Sequence, residues 1–239
     1  MTHPFLGEFC GTATLILLGD GVVAGVLLAK SKAHNAGWIV ITAGWCFAVA
    51  CGIFVSKALG GEGSLNPVGP LAEWIVNQGS PQKSLEMIAG QLAGGFFGAV
   101  LVWLQYMPHW AETKDQAAKL SVFCTVPAIR NYPWNFFSEF LGTFALVFIA
   151  SAFHKSEIFS LEPLVIGMIV WAIGLSLGGT TGYAINPARD LGPRLAHALL
   201  PIAGKGGSDW AYAWVPVLGP ITGGLAAALV FKMLVSPAT

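Results

Sequence analysis

Two Asn-Pro dipeptides, Asn66-Pro67 and Asn186-Pro187, occupy corresponding places in two halves of a very apolar chain. Asn is a favourable helix N-cap, and Pro fits the first helical turn because its missing N–H would have no partner there. Each dipeptide therefore predicts a helix start, yet each following segment is shorter than the roughly 20 residues that cross a bilayer. A single Asn-Pro more often marks an ordinary turn. Two copies at matched places favour two half-helices that line a pore.

The groups at these sites can replace the water around a small polar solute. Asn66 and Asn186 each carry an oxygen that can cap backbone N–H groups and an NH₂ that can face the lumen as a donor. The residues just before each Asn cannot be helical, and irregular backbone at membrane depth persists only when it is buried in protein or lines a wet cavity. We therefore expect a ladder of backbone carbonyl acceptors along the lumen, supplied by Glu62, Gly63, Ser64, Gly182, Tyr183 and Ala184.

Helix dipoles add a charge barrier to this arrangement. Two half-helices that meet at their N-termini direct positive ends at the membrane centre, each equivalent to roughly half an elementary charge. A cation or a proton meets a barrier there, whereas a neutral solute does not. Replacing hydration by fixed hydrogen bonds needs no covalent step, so the pattern predicts passive movement of small uncharged molecules.

The composition places these helices in a membrane. Of the 239 residues, 55% are hydrophobic and 10% charged, and the mean hydropathy is +0.68. Because hydrophobicity extends over the whole length, we expect one all-α integral membrane domain, residues 1–239, with no removable signal peptide and a multi-pass location in the cell membrane. Long apolar runs predict six spanning helices, at residues 5–28, 38–55, 87–107, 134–153, 163–188 and 211–231.

The chain also repeats itself. Short similar segments around Glu8 and Glu139 each open a span that is followed by a second span and then by an Asn-Pro. With three spans in each half, the second copy enters the membrane from the opposite side, as in many transport proteins. The predicted fold is six transmembrane helices plus two re-entrant half-helices in an inverted 3+3 repeat. We place repeat one at about residues 1–107, a linker at about 108–133 and repeat two at about 134–239.

Three acidic residues lie inside predicted spans. Buried acids in membranes often have a function, for example as proton carriers. For Glu8 and Glu139 we favour loop support, because the unpaired N–H groups of a non-helical loop need acceptors, and one carboxylate per repeat answers one loop per repeat. Asp20 is interpreted as a charge at a helix end.

Several function classes find no support in the sequence. Twelve basic and twelve acidic residues give no net charge, and no Lys/Arg block indicates a nucleic-acid partner. Neither a Ser-His-Asp arrangement nor a phosphate-binding loop indicates an enzyme, and we expect no cofactor. The four cysteines have no metal-ligand spacing with each other or with histidine, so we expect neither a metal site nor a disulfide framework: Cys10, Cys46, Cys51 and Cys124.

The segment Gly-Tyr-Ala-Ile-Asn-Pro-Ala-Arg-Asp at 182–190, its partner Asn66-Pro67 and the six-span repeat resemble the major intrinsic proteins, the aquaporins and glycerol facilitators. The second segment contains the family's Asn-Pro-Ala motif, and Asp190 after Arg189 resembles the glycerol-conducting branch. The resemblance covers nearly the whole chain. It implies a right-handed bundle with one pore per subunit, a homotetramer in the lipid bilayer and cytoplasmic termini.

The resemblance also implies a selectivity filter. Arg189 matches the family's filter arginine, Tyr183 the loop aromatic, Gly174 the fifth-span position and Trp45 the second-span aromatic, for which Cys46 and Gly44 are competing assignments. An Arg offers fixed donors to hydroxyl oxygens and repels cations, while aromatic faces hold the carbon backbone of a polyol. A glycine at the fifth-span position leaves width, which favours solutes of the size of glycerol.

The first motif departs from the family pattern, because Val68 stands where Ala is usual and Ser64 where many members carry His. Val68 either narrows the centre or fills a packing gap, and we favour packing. The main hypothesis is a passive channel for glycerol, water and other small uncharged solutes. The alternatives are a facilitator mainly for undissociated lactic acid or similar small solutes, and an ion-coupled secondary transporter that uses Glu8 or Glu139 as its coupling group.

Overall fold

The structure, a computed structural model, describes residues 3–156 and 161–235. All regular secondary structure in this part of the chain is helical, with no β-strand. The helices, in chain order, are α1 Pro4–Leu27, α2 Trp38–Ala58, α3 Val68–Ile75, α4 Pro81–Gln105, α5 Met107–Glu112, α6 Gln116–Phe123, α7 Tyr132–Lys155, α8 Glu162–Ser176, α9 Pro187–Leu199 and α10 Val215–Val235.

Five helices, α1, α2, α4, α7 and α10, are long and apolar enough to cross a membrane. The remaining predicted span, the fifth in chain order, is shorter than expected, since α8 has 15 residues and ends at Ser176, whereas the apolar run extends to residue 188. The residues that follow α8 form turns and an extended segment that leads to Asn186. Hydropathy alone did not separate the helix from this loop, because both lie in an apolar environment.

The two predicted half-helices are confirmed. α3 has 8 residues and α9 has 13, so at 1.5 Å per residue they are about 12 and 20 Å long and do not cross a hydrocarbon core of about 30 Å. The C-terminal end of α9 is closed by Lys205, whose ammonium donates to the carbonyl oxygens of His197, Ala198 and Leu200 at 2.5 to 2.8 Å. A cation at this position also complements the negative end of the helix.

In each half of the chain, glycines bring two helices into close contact, and the helix pair of one half corresponds to that of the other. α1 packs chiefly against α4, and α7 packs chiefly against α10. A Cβ added at Gly94 on α4 would overlap the carbonyl oxygen of Phe9, and one added at Gly223 on α10 would overlap that of Phe140. Phe9 directly follows Glu8 in the sequence, and Phe140 directly follows Glu139. Small residues permit such close backbone contact between membrane helices, and here they set the position of both acidic residues.

Contacts between the two halves place the half-helices. α2 packs against α8, α4 packs against α9, and α3 packs against α10. The Val68 side chain is 1% exposed and occupies the space that a side chain at Gly224 on α10 would need. The unusual valine of the first motif therefore fills a packing gap between α3 and α10, as expected.

The segment predicted as a linker has structure of its own. It contains α5 and α6, with Asp115 capping the N-terminus of α6, and the rings of Trp110 and Phe123 stack at 5.5 Å between centroids. Its last part is tied down by Arg130, which donates to both carboxylate oxygens of Asp209 at 2.9 and 2.5 Å. The hydrogen bonds to the Asp209 carboxylate raise the pKa of the Arg130 guanidinium above its usual range. The repeat boundaries themselves stay a prediction.

Substituting Gly94 by Ala tests the contact between α1 and α4. The added methyl group overlaps the Phe9 carbonyl oxygen, so the helices must separate, at a cost of about 1 to 3 kcal/mol for overpacking. We expect a lower midpoint of thermal unfolding in detergent. Gly21→Ala is the matched control on α1, because a Cβ there meets nothing within 4 Å. An equal loss in both variants would contradict the proposed contact.

Candidate functional site

The two Asn side chains join the two non-helical loops at the centre of the bundle. The Asn66 amide nitrogen donates to the carbonyl oxygen of Ile185 at 2.8 Å, and the Asn186 amide nitrogen donates to that of Leu65, also at 2.8 Å. Each bond runs from one half of the chain to the other. The loops are therefore linked by a reciprocal pair of hydrogen bonds.

The same side chains also cap the half-helices, as the sequence predicts. The Asn66 side-chain oxygen accepts from the N–H of Val68 at 3.1 Å. The Asn186 side-chain oxygen accepts from the N–H groups of Ala188 and Arg189 at 3.0 and 3.3 Å. An amide has two N–H donors, so the bond to the opposite carbonyl leaves one donor on each Asn for the lumen.

The residues just before each Asn adopt left-handed backbone conformations. Leu65 has a φ of +53° and Ile185 a φ of +43°, a region that costs a side-chain-bearing residue about 1 to 3 kcal/mol. Because the strained residues lie at matched places, the backbone of both loops follows the same course before each Asn. Gly63 and Gly182, at +74° and +82°, adopt it without a side chain.

Glu8 takes up the donors of the first loop. Its side chain is fully buried and accepts five hydrogen bonds of 2.7 to 3.1 Å. Three come from backbone N–H groups, which need a protein acceptor at this depth; that of Gly63 is shared with Ser56 Oγ at 3.0 Å. The donors are Ser56 Oγ, Gln91 Nε2 and the backbone N–H groups of Gly63, Ser64 and Leu65.

Glu139 has the corresponding position at the second loop. It is also fully buried and accepts from the hydroxyl of Thr181 at 2.7 Å and from the N–H groups of Ala184 and Ile185 at 3.0 and 2.8 Å. It therefore accepts three hydrogen bonds where Glu8 accepts five. The first loop depends on its carboxylate for more of its donors.

The carbonyl oxygens of these loops are used differently from their N–H groups. Within residues 3–156 and 161–235, none of the six predicted pore carbonyls accepts a hydrogen bond. The next carbonyl in each loop, at Leu65 and at Ile185, accepts from the opposite Asn. The N–H groups that bond to Glu8 and Glu139 are thus satisfied inside the protein, while these six acceptors remain available.

A narrow cavity of about 70 Å³ runs along these groups. A cavity needs about 10 to 15 Å³ on this measure to hold one water molecule, so the space is large enough for a small solute. One part of the lining is polar and carries Ser64, Asn66, Tyr183, Asn186 and Arg189. The remainder of the lining is largely apolar, with Leu15, Val49, Ile53, Leu146, Ile166 and Val170 among its side chains.

The cavity shares residues with a wider vestibule of about 640 Å³ on the α3 side. Glu62, Gly63 and Ser64 all lie in its wall. Several charged side chains at the vestibule form pairs: Lys83 binds Glu62, and Glu162 contacts both Lys57 and His154. The path therefore leads from a large vestibule to a much smaller space.

The predicted filter residues lie together, with one correction. Trp45 lines the cavity with Tyr183 and Arg189, and the Arg189 guanidinium carbon lies 4.3 Å from the centre of a Trp45 ring. The competing assignments point elsewhere, since Gly44 faces Val22 and Cys46 faces Gly167. Of the three alternatives, Trp45 is the residue that lines the cavity.

Gly174 does not line the cavity, contrary to the expectation that it directly leaves width. A Cβ at this position would lie 2.7 Å from Tyr183 Cζ and 3.0 Å from Thr42 Cγ2. Gly174 therefore makes room for the Tyr183 ring, which in turn borders the lumen. No residue pattern signals this indirect role, because sequence spacing predicts the helix face on which a residue lies but not which side chain lies behind another. Gly182 is likewise absent from the lining.

Arg189 has partners that sequence analysis missed. Its Nη1 donates to the carbonyl oxygen of Phe123 at 3.2 Å and lies 3.6 Å from a carboxylate oxygen of Asp20. A backbone carbonyl leaves no signal in the sequence, because every residue type supplies one. Asp20 was visible, but as a lone acid it was interpreted as a helix-end charge.

The neighbouring Asp190 fastens the loop after α6 to α9. It accepts from the N–H and hydroxyl of Thr125, both at 2.8 Å, and pairs with Arg194 at 2.8 Å. Arg194 also donates to the carbonyl oxygens of Thr125 and Ser208. This buried network holds the Phe123 carbonyl beside Arg189. In the described part of the chain, no three His, Cys, Asp or Glu residues are grouped so as to hold a metal ion.

Comparisons with known proteins agree with this geometry. A family described as Major intrinsic protein matches residues 1–231. Glycerol uptake facilitator protein 3 of Lactiplantibacillus plantarum is 56% identical over 96% of this chain and 95% of its own length. The D/L-lactic acid transporter of the same organism is 38% identical over 95% and 96%. The X-ray structure of the aquaglyceroporin from Plasmodium falciparum has a TM-score of 0.84 and 29% identity, covering 98% of this chain and 96% of that one.

Substituting Glu8 and Glu139 by Gln tests the support of the loops. A Gln keeps one acceptor oxygen but directs an NH₂ at backbone donors, which leaves buried N–H groups unpaired at about 1 to 3 kcal/mol each. Both variants should unfold at lower temperature in detergent, Glu8→Gln more so because it loses partners among five donors instead of three.

Glu73→Gln is the control for this pair, since Glu73 is an exposed acid on α3 whose carboxylate bonds Asn77. Its unfolding temperature should match that of the unmodified protein. Loss of stability in Glu73→Gln equal to that in Glu8→Gln would argue against a specific role for the buried carboxylates.

Proposed function

The chain belongs to the major intrinsic protein family, and on that premise we propose that it is a multi-pass membrane channel through which glycerol, water and other small uncharged solutes move passively. Family membership indicates transport rather than catalysis. The observation that carries the proposal is the narrow cavity, in which polar groups and apolar side chains share the lining. A polyol, with hydroxyl groups and a carbon backbone, matches both kinds of surface.

Hydrogen-bond replacement is the proposed mechanism. A solute that enters the cavity loses hydration, and the open carbonyls of the two loops accept from its hydroxyl groups. The second N–H of each Asn, at positions 66 and 186, donates to its oxygens at the centre. The carbons meet the apolar lining, for example Val49 and Val170. Because each lost bond to water is replaced by a bond to a fixed group, the barrier is low and no energy input is needed.

Charged species meet two barriers along the same path. The N-termini of α3 and α9 lie at Asn66 and Asn186, where positive dipole ends oppose cations. The Arg189 guanidinium adds a second positive group in the narrow part. We propose that Arg189, Tyr183 and Trp45 form the selectivity filter, with Gly174 acting behind Tyr183.

The channel is proposed to act as a homotetramer in the lipid bilayer with cytoplasmic termini, as its family resemblance implies. Large apolar side chains are exposed on the outer faces of the helices, among them Phe47 at 62% and Met168 at 61%. Such faces need lipid or another subunit to cover them. Native mass spectrometry in detergent should give four copies; a single-copy species under all mild conditions would contradict the assembly.

Undissociated lactic acid is a second candidate solute, because one relative is named as a D/L-lactic acid transporter. Its hydroxyl and carboxylic acid groups suit the same lining when it is neutral. An ion-coupled transporter is disfavoured, since Glu8 and Glu139 are both buried and bonded to loop donors. A coupling group must exchange its proton or ion, which these bonds oppose.

Stopped-flow light scattering on proteoliposomes tests the proposed function. Glycerol and water should both permeate much faster than through empty liposomes, without saturation, counterflow or dependence on a pH or sodium gradient. Lactic acid at low pH is compared in the same vesicles. Water flux without glycerol flux would contradict the proposed solute class, and gradient dependence would indicate the coupled transporter.

Replacing Gly174 by Val tests the filter. The new side chain meets Tyr183 and Thr42 and displaces the tyrosine ring into the lumen. We expect glycerol permeability to fall about tenfold or more, equivalent to about 1.4 kcal/mol of added barrier, while water permeability falls less. Gly179→Val is the control, because Gly179 is exposed and a Cβ there meets nothing within 4 Å. Equal loss of both fluxes in Gly174→Val would count against a size-selective filter.

A further inference from the structure

Asp20 is a fully buried acid that has no role in supporting the two loops. It lies inside α1, Pro4–Leu27, and is 0% exposed, so its interpretation as a helix-end charge is wrong. Throughout residues 3–156 and 161–235, neither of its carboxylate oxygens has a hydrogen-bond partner. Its nearest opposite charge is Arg189, whose Nη1 lies 3.6 Å from Oδ1. This contrasts with Glu8, which has five donors.

A carboxylate in this environment needs a compensating charge. An ionised acid without hydrogen bonds is strongly disfavoured at membrane depth, and acids there usually pair with a basic group or line a pathway. Arg189 supplies that charge from the opposite half of the chain. The pair is too long for a direct hydrogen bond, so the attraction acts on the whole guanidinium group rather than through one fixed bond.

The guanidinium of Arg189 is held by groups on several sides. The Trp45 ring lies under it at 4.3 Å, the Phe123 carbonyl accepts from it at 3.2 Å, and Asp20 attracts it toward α1. Trp45 itself reaches this place because Gly19, the neighbour of Asp20, has no side chain; a Cβ there would lie 2.3 Å from the ring. Gly19 on α1 thus packs against the Trp45 ring, and its neighbour Asp20 lies beside the Arg189 guanidinium.

We propose that Asp20 is a positioning residue that sets the solute selectivity of the channel by drawing the Arg189 guanidinium toward α1 and compensating its charge. The inference rests on the proposed function. With Asp20 ionised, Arg189 stays at the wall against Trp45 and leaves width for a polyol. Without that charge, the Phe123 carbonyl and the Trp45 ring are the groups among the described residues that still retain the guanidinium, and its unbalanced charge turns toward water in the lumen.

The consequence is a change in selectivity rather than a uniform loss of flux. A guanidinium that moves into the lumen narrows the passage, and glycerol is wider than water. Removing the charge of Asp20 should therefore slow glycerol more than water. It should also lower the size limit within a series of polyols, because the largest permeant solute meets the displaced group first.

Asp20→Asn tests this inference with little change in shape. In proteoliposomes we expect the ratio of glycerol to water permeability to fall about threefold or more relative to the unmodified channel, because the constriction controls which solutes pass. The ratio does not depend on how many channels are folded and inserted. Asp20→Ser, a smaller neutral variant, should give the same direction and serves if the Asn variant does not insert.

Thr12→Val is the matched control. Thr12 lies about two turns earlier on α1, is 0% exposed, and its hydroxyl likewise has no hydrogen-bond partner among the described residues. Its replacement removes a buried polar group without touching Arg189, so the permeability ratio should not change. A fall in the ratio equal to that of Asp20→Asn would assign the effect to helix packing and overturn the inference.

A double substitution separates positioning from a general structural effect. If Asp20 acts through Arg189, adding Asp20→Asn to an Arg189→Ala channel should leave the glycerol-to-water ratio of that channel unchanged. The same fold-change in both backgrounds would overturn the inference, as would an unchanged ratio in Asp20→Asn alone. Absence of glycerol flux in the unmodified channel is a different result, which overturns the proposed function itself.

Discussion

The two non-helical loops at the centre of the bundle are subject to one constraint: their backbone polar groups lie at a depth where lipid offers no partner. The chain provides partners for the N–H groups more fully than for the carbonyl oxygens. N–H groups of both loops bond to Glu8 and Glu139, and one carbonyl of each loop bonds to the opposite Asn. The six carbonyls at residues 62–64 and 182–184 have no partner in the described protein. We infer that the solute supplies their hydrogen bonds, so that the same feature stabilises the loops and conducts the solute.

The rest of the fold keeps these loops in place through contacts that recur in both halves. Gly94 and Gly223 let the helices that carry the acids approach their neighbours at backbone distance. Leu65 and Ile185 adopt the same strained conformation before each Asn, and the reciprocal amide bonds give that strain a compensating interaction. The halves differ in detail, since Glu8 serves more donors than Glu139 and Val68 needs the gap at Gly224. The two halves therefore support their loops in the same way, although the number of hydrogen bonds and the side-chain packing differ between them.

Sequence reasoning succeeded where a physical need has few chemical solutions. An Asn-Pro before a short apolar segment predicts a half-helix, and a buried non-helical loop predicts an acceptor, which pointed to Glu8 and Glu139. It failed where the answer depends on three-dimensional packing. The end of α8, the position of Gly174 behind Tyr183 and the carbonyl of Phe123 beside Arg189 have no distinctive residue pattern. Asp20 was misjudged because its partner lies in the other half of the chain.

A high-resolution cryo-EM map of the protein in lipid nanodiscs with saturating glycerol tests the central claim most directly. We expect glycerol in the narrow cavity, with oxygens at hydrogen-bond distance from the amides of Asn66 and Asn186 and from the unbonded loop carbonyls. Its carbons should face the apolar lining. A cavity without glycerol under these conditions, or loop carbonyls bonded within the protein while glycerol lies elsewhere, would contradict the claim that the solute completes the hydrogen bonding of the two loops.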